Sequence, residues 1–159
     1  DQSREYYFTI NSPVLRLAKK TVAKGRLPGD TLIYTIYYDN DGSSETEDTV
    51  TIVDVLPLGV TFLDTVAIVM DTNNAATSPN RNPGDKIKVE WRYVNTWRDT
   101  LLGPDSLLLI RAIRFKIPPG IGAHDTTGEG GTGSKTNVLA DGDSLDTDAG
   151  YMTFKVRIR

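Results

Sequence analysis

Period-two alternation recurs along almost the whole chain, and no stretch repeats apolar residues at helical spacing. Residues 86–93 show it cleanly. Ile87, Val89, Trp91 and Tyr93 fall on one side, and Lys86, Lys88, Glu90 and Arg92 on the other. Successive side chains of a strand point to opposite faces, so this pattern suits a strand with one face buried and one in water. Residues 151–159 repeat it, with Met152, Phe154, Val156 and Ile158 directed inward. Residues 106–117 read as one long strand, apolar at first and then alternating, and residues 65–70 as a shorter apolar one. Turn signals punctuate these runs at Pro28-Gly29, Asn82-Pro83-Gly84, Gly103-Pro104 and Pro118-Pro119-Gly120. About eight to ten short strands with such turns predict an all-β sandwich with Greek-key connections.

Composition narrows the function classes. A chain of 159 residues with 38% hydrophobic and 25% charged residues can bury a core of its own. Its net charge of -3 argues against nucleic acid, whose phosphates require a basic face. No apolar run approaches the roughly 20 residues that span a bilayer. With no cysteine, neither a disulfide framework nor a zinc-thiolate site can form. The sequence opens at Asp1 without an initiator Met, as a mature chain left by signal-peptide removal would. No acceptable Asn-x-Ser/Thr sequon occurs, and no internal repeat is visible.

Residues 14–62 carry the most specific pattern. They give a strand with Leu15, Leu17 and Lys19, a Pro28-Gly29-Asp30 turn, and a Tyr-rich strand with Tyr34. A loop with Asn40 and Gly42 follows, then a third strand and Asp54-Val55-Leu56-Pro57-Leu58-Gly59. In that order, over nearly a third of the chain, these signs resemble the DUF11 family of immunoglobulin-like repeats from bacterial and archaeal surface proteins. The resemblance implies an immunoglobulin-like sandwich outside the cell that builds, spaces or joins surface structures. It does not imply an enzyme.

The chemistry-bearing residues agree with a non-enzymatic reading. The only histidine, His124, lies in the Gly-rich segment 120–134, and no nucleophile elbow, phosphate-cradling Gly motif or HExxH helix accompanies it. Asp141, Asp143, Asp146 and Asp148 make a carboxylate-dense turn that could supply oxygen ligands to calcium. Their spacing departs from an EF-hand loop, and a solvated turn is the simpler reading. Asp39, Asp41, Glu45, Glu47 and Asp48 read as a second solvated acidic loop. Some pilin and adhesin domains join a first-strand Lys to a last-strand Asn by an isopeptide bond beside a buried carboxyl. Here Lys19, Asp54 and Asn137 would fill those roles. Strand parity puts Lys19 with Leu15 and Leu17, Asp54 with Ile52 and Leu56, and Asn137 with Leu139. The reaction needs a water-poor site with a neutral amine. The competing reading has Lys19 reaching to the edge while Asp54 and Asn137 bond locally.

Residues 1–13 form an N-terminal extension ahead of the domain proper, residues 14–159. Tyr6, Phe8 and Ile10 alternate with Tyr7 and Thr9 as a strand would, and Ser12-Pro13 ends the run. A detachable strand can complete the sheet of a neighbouring copy, and head-to-tail repetition of that step makes a filament. The expected function is therefore a subunit of an extracellular homopolymer, whether filament, pilus-like fibre or surface sheath. Its partner is a second copy of the same chain, with Tyr6, Phe8 and Ile10 as donor residues and no required cofactor. The alternatives are an edge strand folded back on its own domain, and an adhesin, ligand-binding or spacer module. For a ligand platform the available aromatics are Trp97 and a few tyrosines.

Overall fold

The alternating runs become strands because each has one apolar row to bury and the other sheet to bury it against. A computed structural model describes residues 12–23, 25, 27–71, 73, 75–123 and 147–159. One antiparallel sheet joins β1 (Leu15–Ala23), β2 (Thr31–Asn40), β8 (Ala149–Ile158) and β4 (Val60–Val69) in the order β1-β2-β8-β4. The other joins β3 (Val50–Val55), β7 (Ile110–Ile117), β5 (Lys88–Tyr93) and β6 (Thr96–Arg98) in the order β3-β7-β5-β6. The architecture is an all-β sandwich.

The inward rows expected of β7 and β8 meet between the sheets, together with a row of β2. Tyr34, Ile36 and Tyr38 of β2 and Met152, Phe154 and Val156 of β8 are buried opposite Ile113, Phe115 and Ile117 of β7. Phe154 sits at the centre of a ring cluster, 5.5 Å from Tyr34, 6.2 Å from Phe62 and 6.4 Å from Phe115 between centroids. Burial of such a side chain contributes about 1.5–3 kcal/mol. Trp91 packs edge-on to Phe62 at the border of this cluster, as its alternation implied.

Turn chemistry sets the strand ends. Gly29 holds φ 96° in the β1–β2 turn, a backbone region that disfavours residues with a Cβ. Asp30 closes the same turn by accepting the Leu27 N–H at 2.8 Å. The segment expected to form one long strand over 106–117 divides in two. Pro104–Leu109 is a 3-10 turn, and the strand begins only at Ile110. Pro104 sets helical φ at the turn's start, Ser106 bonds back to the Gly103 carbonyl, and three consecutive leucines lack the alternation that a half-buried strand rewards.

The start of β1 is tied to the loop after β2. Val14 N–H bonds Asn40 Oδ1 at 2.9 Å, while Asp41 and Ser43 N–H bond the carbonyls of Val14 and Ser12. Gly42 is required by this close approach, since a Cβ there would lie 2.2 Å from the Ser12 carbonyl oxygen. Gly42→Ala is expected to cost about 1–3 kcal/mol, because backbone must move to admit the methyl group. An equilibrium urea titration measures it, and an unchanged midpoint would contradict this packing.

Candidate functional site

The two sides of the sandwich are finished differently. At the β4 side, β4 carries two register shifts, the second sheet ends in the three-residue β6, and the 3-10 turn packs nearby. Arg159 Nη2 and Arg111 Nη1 both donate to the Leu108 carbonyl there, at 3.1 and 3.0 Å. Bulges and short strands are devices that keep an edge from pairing with another chain.

The β1 side has no such finish. Among the described residues β1 is nine residues long, pairs with β2 without a register shift, and has no strand on its other side. Directly paired residues share a face, so Leu15, Leu17, Lys19 and Thr21 point the same way as Asn40, Tyr38, Ile36 and Tyr34. Those four β2 residues are buried, yet the four on β1 are exposed, Leu15 at 40% and Leu17 at 56%. Among the described residues, the Leu15–Leu17 end of this core-facing row is thus not covered by the second sheet. Among the described residues the facing edge strand, β3, pairs only with β7, and its outward Val53 and Val55 are 50% and 61% exposed.

One ion pair crosses between these edges. Lys19 Nζ lies 2.6 Å from Asp54 Oδ2 and 4.1 Å from the centroid of the Tyr34 ring. Burial, and secondarily the Asp54 carboxylate, push the Tyr34 phenol above its ordinary value. The parity argument therefore places Lys19 and Asp54 correctly together. The Lys19 side chain is 35% exposed and that of Asp54 11%. Asn137 lies outside the described residues, as do Tyr6, Phe8, Ile10, His124, Asp141, Asp143 and Asp146.

The polar residues at the Asn40 end serve structure. Asn40 is fully buried; its Nδ2 donates to the carbonyls of Gly122 at 2.6 Å and Ser44 at 2.8 Å, and its Oδ1 accepts from Val14 and Gly42. Arg81 Nη2 lies 3.0 and 3.1 Å from the two Asp71 oxygens, and Arg81 Nε donates to the Pro119 carbonyl. Tyr38 donates its hydroxyl to Asp71 at 2.9 Å and accepts the Asp71 N–H. Burial first, then the Asp71 charge, hold the Tyr38 phenol far above its usual value, so it stays a donor. Burial also pushes the Asp71 carboxyl up, against the Arg81 guanidinium and the Tyr38 hydroxyl.

The acidic loop expected to be solvated is so only in part. Glu47 and Asp48 are exposed, whereas Asp39 is buried, Asp41 pairs with Arg16 at 3.2 Å, and Glu45 accepts from Asn80 and Asn73. Asp148, the described member of the candidate calcium turn, is buried and bonds Asn40 N–H through its carbonyl. Among the described residues no group of three or more His, Asp or Glu side chains is placed to hold a cation. Burial of these loop acids depends on partners tens of residues away, which alternation does not reveal.

The outer face of the second sheet carries Glu90 between Arg114 and Lys116, with its carboxyl held below the usual range chiefly by the Arg114 hydrogen bond. Arg114 also lies 4.3 Å from the Trp97 ring centroid and Arg92 5.8 Å from it. The candidate aromatic platform is therefore already engaged by guanidinium groups. The open β1–β3 edge is what inspection of the chain missed. Its one legible sign is Val53 and Val55, apolar on the row that alternation assigns to water. Among the described residues no helix is long and apolar enough to cross a membrane. No protein-family model, curated protein or solved structure matches this chain.

Proposed function

We propose that this chain is the structural subunit of an extracellular homopolymer, a filament, pilus-like fibre or surface sheath, joined by donation of residues 1–11 to the neighbouring copy. The observation that carries the reading is the exposure, among the described residues, of Leu15 and Leu17 on the core-facing row of the edge strand β1, in a chain whose first eleven residues are patterned as a strand. Strand addition uses main-chain hydrogen bonds for pairing and alternate side chains for fit. Because donor and acceptor are different surfaces, the contact repeats without closing. The DUF11 resemblance of residues 14–62 supports the same reading, together with an immunoglobulin-like, Greek-key description and a position at the cell surface.

Deletion of residues 1–11 tests it. The full chain is expected to form polymers visible by negative-stain microscopy. The truncated chain is expected to sediment as a monomer with unchanged circular dichroism. Polymers formed by the truncated chain would overturn donation, as would a full chain that stays monomeric at all concentrations.

A further inference from the structure

We infer that the donated segment enters the gap beneath β1 and pairs with the free edge of β3, so that residues 5–10 of a second copy become a fifth strand of the second sheet. The inference rests on the donation reading above and identifies the acceptor. Two exposed apolar rows border that gap. Leu15 and Leu17 form its roof, on the core-facing side of β1, and Val53 and Val55 lie on the outer face of β3. A strand beside β3 addresses both at once. One of its faces lies under Leu15 and Leu17, and the other extends the outer surface next to Val53 and Val55. A strand added to the free edge of β1 would instead leave Val53 and Val55 untouched.

The pattern and length of the segment suit this place. Tyr6, Phe8 and Ile10 supply three large apolar side chains for the inner face, and Tyr7 and Thr9 supply residues that pair well across a sheet with valine. Residues 5–10 match the six residues of β3, a run of about 20 Å at strand spacing. The Lys19–Asp54 pair joins the two edges on the core side and forms the inner wall of the gap, leaving its outer part to the donated strand.

The absence of native cysteine makes the geometry directly testable. Single-cysteine chains are mixed, polymerised and oxidised, and covalent dimers are read on non-reducing gels. Val53→Cys is expected to cross-link with Tyr7→Cys or Thr9→Cys, which share its face, and not with Phe8→Cys, which faces inward. Cross-linking to Ala18→Cys instead would place the strand on the β1 edge and overturn the inference while donation stood. No cross-link to Val53→Cys in polymers that still require residues 1–11 would overturn it too. If polymers form without residues 1–11, donation fails first and this inference with it. As a second measurement, Leu15→Glu with Leu17→Glu alters two residues already exposed in the single chain, so the fold should be unchanged by circular dichroism. The concentration needed for polymer formation is expected to rise at least tenfold, and an unchanged concentration would overturn the inference.

Discussion

Replacement of Arg81 by methionine is expected to lower the unfolding free energy by about 3–5 kcal/mol, the cost of leaving a buried carboxylate without its cation. Both side chains of the Arg81–Asp71 pair are almost completely enclosed, at 2% and 0% exposure. Without the guanidinium, Asp71 retains among the described residues the Tyr38 hydroxyl and its local backbone contacts, and the Pro119 carbonyl loses its Nε donor. The loss should appear as a lower urea midpoint with an unchanged slope, since the surface exposed on unfolding stays nearly the same. The double variant Arg81→Met with Asp71→Leu removes the stranded charge and should recover much of the stability. A double variant less stable than Arg81→Met alone would show that the pair contributes through something other than mutual neutralisation.

The second large effect is expected at Asn40. Asn40→Ala removes a side chain that serves two backbone N–H groups, of Val14 and Gly42, and the carbonyls of Ser44 and Gly122. Each buried polar group left without a partner costs about 1–3 kcal/mol. Water can reach the half-buried groups at Val14 and Ser44, so a net loss of about 3 kcal/mol is expected rather than the full sum. The variant should also loosen the chain at residues 12–14, where the N-terminal segment leaves the domain. Hydrogen exchange would report this as faster exchange at Asp41 and Ser43, whose N–H groups bond that segment. Protection equal to the parent there would mean that Asn40 does not anchor the segment.

The faces of β5, β7 and β8 were legible in the sequence because the pleat is local. Whichever neighbour a strand acquires, residues two apart share a side. That rule alone puts Ile113, Phe115 and Ile117, or Met152, Phe154 and Val156, on one face, and both rows are buried. It also brought Lys19 and Asp54 to the interior side of their strands, where they meet at 2.6 Å. The same reasoning failed at residues 106–109, where a strand was expected and Pro104–Leu109 instead forms a 3-10 turn. Three adjacent leucines carry no period, and the proline and Ser106 bonds decided the local geometry.

What the sequence determined by itself is the class of structure and the inward row of most strands, since alternation and turn residues act over a few positions. Only the tertiary structure decided which inward rows are covered. Leu15 and Leu17 have the parity of core residues yet stay exposed, because coverage depends on how far the second sheet extends beneath β1. That extent follows from the pairing of β3 with β7 and from the placement of the two sheets across the core. The burial of Asp71 and Arg81 was decided in the same way. Each charge is tolerable only because folding brings Tyr38, Pro119 and the partner charge to one place, and no segment of the chain contains that arrangement alone.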